Sequence, residues 1–281
     1  MKKDFQLITS RKNLMRISTY SVSNPAENPC VFLVHGFKGF KDWGYGPYLC
    51  KFLAQNVFFS VGFNFSHNGV GEDLLNFTEL DEFADNTISL EIEELNEVIE
   101  FYKNGGFGFL PQNPKIGIIG HSRGGAVSIV HCAEKKNLDA LVLWASVSYL
   151  DRYSERQKEE WIEKGFFEVL NTRTNQLMRL NRVLLDDIIE NKARFDLKKR
   201  IAEISAPILI VHGDQDLAVP VKEAYELYQS SKNENTELFI VEKAGHTFDI
   251  VHPFQGSNEK FDSVVDRTLD FLNRNLTLES L

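Results

Sequence analysis

Ile116-Gly117-Ile118-Ile119-Gly120-His121-Ser122-Arg123-Gly124-Gly125 is the stretch on which the fold reading turns. An apolar run, Ile116 to Ile119, leads through a glycine-bounded serine into Gly124 to Lys135, which starts small and ends basic. Strand, sharp turn, helix is the context that a G-x-S-x-G sequence requires. A serine on so tight a turn has strained backbone angles. Its neighbours two before and two after must then be small, or they collide. The turn lifts the serine above the sheet edge, at a helix N-terminus that favours negative charge.

Outward from this stretch the same rhythm recurs. Val31 to Val34, Val57 to Phe65, Leu141 to Trp144, Ile208 to Val211 and Leu238 to Val241 are short apolar runs, the kind that forms strands buried on both faces of a parallel sheet. Between them lie helical patterns. Ile88, Ile92, Leu95, Ile99 and Tyr102 recur at three- and four-residue spacing, Val221 to Ser231 follows Pro220, and Phe261 to Leu272 carries an apolar stripe. Leu14, Ile17 and Tyr20 sit in a polar stretch that suits an antiparallel hairpin at a sheet edge. The whole predicts a mostly parallel, doubly wound α/β sheet. Residues 1–148 and 201–281 form its core, and 149–200 break the rhythm as an insertion. Tyr149 to Lys164 reads as a helix, Phe166 to Leu170 and Gln176 to Leu180 as a hairpin about a polar turn, and Asn181 to Asn191 as a second helix.

Composition narrows the partners. Across 281 residues, 31 basic and 40 acidic side chains leave a net charge of −9, which repels a phosphate backbone and argues against nucleic acid. No apolar run approaches the roughly 18–20 residues of a membrane span. The basic Met1-Lys2-Lys3 start is not followed by an apolar stretch of signal-peptide type. Cys30, Cys50 and Cys132 have no CxxC spacing and sit among apolar neighbours, as buried thiols do in a reducing cytoplasm. The expectation is a cytoplasmic protein without membrane, metal or organic cofactor. No oligomeric state follows from the residues.

A serine hydroxyl is a poor nucleophile until a base, oriented by an acid, takes its proton. His246, in the loop after Leu238–Val241, is the preferred base, with His252 its rival. The acid should leave another strand end: Asp214 and Asp216 both follow Ile208–Val211, and Asp216, deeper in the loop, is preferred. The spacing agrees. Ser122 and Asp216 lie 94 residues apart, about 50 more than a helix–strand–helix–strand unit needs, and the insertion accounts for the excess. The Arg123 backbone N–H comes with the turn as one oxyanion donor. Phe37, after His35-Gly36 at the end of Val31–Val34, supplies the second. His35 and His212 read as structural. Trp161, Phe166, Phe167, Leu177 and Met178 are expected either to wall a substrate pocket or to fix the insertion to the core.

Gly120-His121-Ser122-Arg123-Gly124-Gly125, His35-Gly36-Phe37, His212 to Pro220 and Gly245-His246 together resemble the α/β-hydrolase superfamily in its order Ser, Asp, His. His35 to Lys41 is similar to the loop of bacterial feruloyl/cinnamoyl esterases and dienelactone-hydrolase-like proteins, although dienelactone hydrolases proper carry cysteine where this chain has Ser122. The resemblance implies nucleophile Ser122, acid Asp216, base His246 and oxyanion donors Phe37 and Arg123. It also implies an insertion that caps the site, and the apolar composition of that insertion points to a small-molecule ester with an apolar or aromatic group as substrate. Two other readings stand beside it. One is a peptidase of the same superfamily, for which Glu159 and Glu160 could bind a free amino terminus. The other is a non-catalytic binding protein on the same fold.

Overall fold

The computed structural model describes residues 1–277; the last four residues of the expected 201–281 core segment lie outside it. In chain order come strands β1 (Lys2–Ile8), β2 (Leu14–Tyr20) and β3 (Cys30–Val34), helix α1 (Gly46–Gln55), β4 (Phe59–Phe63), α2 (Leu80–Ala84), α3 (Ile88–Lys103), β5 (Ile116–His121), α4 (Arg123–Lys135) and β6 (Ala140–Trp144). Then follow α5 (Glu155–Lys164), β7 (Phe166–Asn171), β8 (Gln176–Asn181), α6 (Arg182–Glu190), α7 (Leu197–Ile201), β9 (Ile208–Gly213), α8 (Lys222–Ser230), β10 (Thr236–Val241) and α9 (Glu259–Leu276).

Eight strands make one sheet in the order β1-β2-β4-β3-β5-β6-β9-β10. β3, β4, β5, β6, β9 and β10 run parallel; β2 pairs antiparallel with both β1 and β4. The expected N-terminal hairpin is therefore present at a sheet edge. Side chains alternate between two apolar layers, as the pleat requires. Cys30, Phe32 and Val34 of β3 face the layer that includes Ile99 of α3 and Val130 of α4. Val31 and Leu33 face Leu49 of α1 and Phe261 of α9. Burial on both sides is why the runs in β3 and β6 are apolar throughout. β10 departs from that expectation: only Val241 is buried, because the strand forms the other edge of the sheet. Cys30, Cys50 and Cys132 are free and buried, and burial pushes the Cys50 thiol up to about 12.

Between β6 and β9, α5 starts at Glu155 rather than at Tyr149. Ser154 caps it, accepting from Gln157 N while the Gln157 side chain accepts from Ser154 N, a reciprocal cap that fixes the first turn. β7 and β8 form the antiparallel hairpin, Phe166 opposite Asn181 and Asn171 opposite Gln176. Polar contacts tie this segment to the rest. Gln176 exchanges hydrogen bonds with the Phe77 backbone at 3.0 and 2.8 Å, Ser89 N and Oγ donate to Asp187, and Asn181 donates to Asp85.

The glycines of the β5–α4 turn are there for space. A Cβ on Gly124 would sit 2.4 Å from the carbonyl oxygens of Val34 and His35, and one on Gly120 would sit 2.7 Å from Gly124 O. Gly124→Ala should therefore destabilise the protein by about 1–3 kcal/mol, the range of overpacking changes. Urea unfolding measures it, and an unchanged midpoint would sink the close-packing argument.

Candidate active site

Ser122 stands alone between β5 and α4 with φ 55° and ψ −121°. Such a conformation costs on the order of 1–3 kcal/mol and persists only where its surroundings over-determine it. Here they do. Ser122 N donates to Trp144 O of the neighbouring strand at 2.9 Å, and Ser122 O accepts from Gly125 N at 3.0 Å. The side chain is thereby presented at the carboxyl edge of the sheet, over the N-terminus of a 13-residue helix.

The loops after β9 and β10 meet beside it. His246 Nδ1 lies 2.7 Å from Asp216 Oδ2. Asp216 Oδ1 accepts from the N–H groups of Ala218 and Val219, both at 2.8 Å. Burial by itself pushes the Asp216 carboxyl up. Hydrogen bonds from His212 and His246, then the His246 charge, outweigh it and hold the group well below the usual carboxylate range. An ionised carboxylate only accepts, so His246 carries its proton on Nδ1 and Nε2 is left free to act as a base. Among the described residues no hydrogen bond joins Ser122 Oγ to the His246 ring; such bonds are often long without substrate and tighten in the Michaelis complex. Asp214 is exposed, and only its backbone is engaged, donating to Val241 O. His252 is used otherwise: Nδ1 accepts from Gly44 N at 3.0 Å and Nε2 donates to Leu74 O.

Three further histidines hold the loops. His212 Nε2 donates to Val219 O at 2.8 Å, with Asp216 Oδ2 at 3.3 Å. His35 donates from Nδ1 to Gly36 O and accepts from Phe65 N, which fixes the loop before Phe37; burial pulls it down to about 4. His121, which the sequence did not single out, donates to the His246 carbonyl at 3.0 Å. Burial and the neighbouring His246 bring it down to about 3. The N–H groups of Phe37 and Arg123 have no acceptor among the described residues. The Arg123 side chain turns away, pairing with Glu91 and lying 4.6 Å over the Phe37 ring.

Two cavities share Ser122, Phe37, Lys38 and His246. One, of about 350 Å³, runs along the loop after β3, past Phe40, Trp43 and Tyr45, to the β7–β8 hairpin tip at Asn171, Thr172 and Arg173. The other, of about 400 Å³, is bounded by Leu150, Tyr153, Leu184, Ile188 and Val219. The aromatic residues expected to wall a pocket line neither. Trp161 and Met178 are fully buried, and the Trp161 ring lies 5.5 Å from that of Phe167, tilted by 30°, with Tyr153 edge-on to it. Phe166 lies under the Arg179 guanidinium, and Leu177 is exposed. Trp161, Met178 and Phe167 belong to an apolar cluster continuous with the main core. These residues sit at positions that strand and helix geometry turns inward, and loops together with α6 do the lining. The sequence signal for the true wall was the polar Asn171–Asn175 turn.

Among the described residues no helix is long and apolar enough to cross a membrane, and no group of three His, Cys, Asp or Glu could hold a metal ion.

Known proteins resemble this chain in sequence and in fold. The chain is 24% identical over 188 residues to a 2-hydroxy-6-oxo-6-(2'-aminophenyl)hexa-2,4-dienoic acid hydrolase of Metapseudomonas resinovorans, a match spanning 57% of this chain and 60% of that protein. It is 23% identical over 265 residues to a monoacylglycerol lipase of Bos taurus, covering 82% of this chain and 73% of that one. Among solved structures, Est1E from Butyrivibrio proteoclasticus with ferulic acid bound is similar at a TM-score of 0.72 and 17% identity, over 96% of this chain and 98% of that one. Solved α/β hydrolases share the fold at TM-scores of 0.65–0.75. The model of the prolyl oligopeptidase family matches residues 89–279, more than half of the sequence, a span that includes Ser122, Asp216 and His246. The chain has the α/β-hydrolase fold and belongs to the prolyl oligopeptidase family.

Proposed function

We propose that the protein is a serine hydrolase of carboxylic esters. The observation that carries this reading is the 2.7 Å His246–Asp216 pair, with His246 sharing both cavities with Ser122. His246 Nε2 takes the proton of Ser122 Oγ as the oxygen attacks the acyl carbon. Asp216 fixes the tautomer and balances the imidazolium. The N–H groups of Phe37 and Arg123 hold the tetrahedral oxyanion. The imidazolium returns its proton to the leaving alcohol, and water then repeats the cycle on the acyl-enzyme.

The aromatic wall of Phe40, Trp43 and Tyr45 supports a small apolar or aromatic ester as substrate. The similarity to a lipase and to a protein holding ferulic acid points the same way. Family membership favours a second reading, peptide-bond hydrolysis by the same residues. An aminopeptidase would need a carboxylate for the substrate's amino terminus. Glu159 is exposed, Glu160 pairs with Arg156, and the residues lining both cavities include no aspartate or glutamate. The segment 149–200 is proposed as a cap, since its hairpin tip and Leu150, Tyr153 and Leu184 bound the two cavities.

A fluorophosphonate should label Ser122. Ser122→Ala should abolish labelling and lower kcat by on the order of 10⁴–10⁶ on p-nitrophenyl esters while the protein stays folded. A folded Ser122→Ala protein that keeps substantial esterase activity overturns the nucleophile, and a wild-type protein that neither reacts nor turns over is a binding protein.

Asp216→Asn should cost on the order of 10⁴ in kcat through the wrong tautomer of His246, whereas Asp214→Asn should leave kcat within a few-fold. Steady-state kinetics of the two variants decide; the reverse order of damage would give the acid role to Asp214.

A further inference from the structure

Five cations line the two cavities beside Ser122, and they divide by what they face. Lys41 pairs with Asp42, Arg123 with Glu91, and Arg152 with Glu223. Lys38 and Arg173 have no carboxylate partner among the described residues. The one polar acceptor of Lys38 Nζ is Leu170 O, at 3.4 Å. Arg173, on the hairpin tip, lies over the Phe40 and Phe77 rings at 5.5 and 5.7 Å. Both line the cavity along the loop after β3.

In a chain with a net charge of −9, these two cations without a carboxylate partner face one cavity that no carboxylate lines. Their charges act on each other: burial, and then the charge of Arg173, pull the Lys38 ammonium below the usual lysine range. A bound anion relieves that repulsion. Lys38 also occupies left-handed backbone at φ 57°, a position glycine takes without strain. Asn171, buried in the same wall, keeps its Nδ2 donor without an acceptor. His35 and His121, at about 4 and about 3, are neutral and add no charge.

From these groups we infer that the cavity along the β3 loop binds a substrate carboxylate through Lys38 and Arg173, so that the preferred ester carries a free carboxylate on an apolar or aromatic frame. The inference rests on the ester-hydrolase reading above for its catalytic consequence, but not for its binding. Lys38 and Arg173 act by charge-assisted hydrogen bonds to the carboxylate, and Phe40 and Trp43 pack against the frame.

Matched esters test it: monomethyl terephthalate, which is anionic, against the neutral dimethyl terephthalate. Wild-type kcat/KM should favour the anion. Lys38→Gln with Arg173→Gln should lower kcat/KM for the anion by about 10–100-fold, the factor carried by one or two charge-assisted hydrogen bonds, and leave the neutral ester within about threefold. Arg173→Gln alone, at the exposed tip, should give part of the effect without touching the loop that carries Phe37. Calorimetric titration of Ser122→Ala protein with monomethyl terephthalate supplies an arm independent of turnover. Binding there should weaken by the same factor when Lys38 and Arg173 are changed. A wild-type protein that hydrolyses both esters equally, a double variant that loses both equally, or monomethyl terephthalate binding left unweakened by the Lys38 and Arg173 changes overturns the inference. If neither ester is hydrolysed but the anion binds selectively, the ester reading fails while the carboxylate site stands.

Discussion

The close approach of the β5–α4 turn to the end of β3 governs the rest of the molecule. Gly124 sits against the carbonyl oxygens of Val34 and His35 with no room for a side chain, and that contact holds Ser122 at φ 55°. Three consequences share this origin. The serine is lifted clear of the sheet, the Arg123 N–H opens toward it at the start of α4, and the loop carrying Phe37 is brought alongside. A looser turn would relieve the backbone and lose all three at once, so the strain belongs to the positioning.

Around that turn the protein spends polar groups to fix protonation. Asp216 receives hydrogen bonds from two backbone N–H groups and from two histidines, His246 and His212. It therefore stays ionised in a place where burial alone would neutralise it. His35, His121 and His212 take the opposite role. Each is engaged with loop backbone, and burial keeps His35 and His121 uncharged. Asp216 and His246 are thus left as one coupled carboxylate–imidazole pair beside Ser122.

The segment between β6 and β9 works by a division of labour. Its large apolar side chains, Trp161 and Met178 above all, fuse it to the main core. Gln176, Asp187 and Asn181 orient it through hydrogen bonds to Phe77, Ser89 and Asp85. What remains for the cavities is Leu150 and Tyr153 with Leu184 and Ile188 of α6 on one side of Ser122, and Asn171 to Arg173 on the other. Composition alone misleads here, because an apolar side chain is as useful for attachment as for recognition.

The sequence by itself determined the sheet, the turn and the His246–Asp216 pairing. Apolar runs of fixed length, glycines at two set offsets from Ser122 and the spacing of loop residues after strands are local signals, and strands in a parallel sheet bring their carboxyl ends together whatever lies between. β10 was misjudged because an apolar run does not say whether its strand is central or at an edge. His121 was missed because its partner, the His246 carbonyl, lies 125 residues away. The cavity walls were decided by tertiary structure alone. Whether Phe167 faces substrate or core, and whether Arg173 meets a carboxylate or stays unpaired, depends on how the hairpin docks against residues far off in the chain. No local pattern encodes that distance.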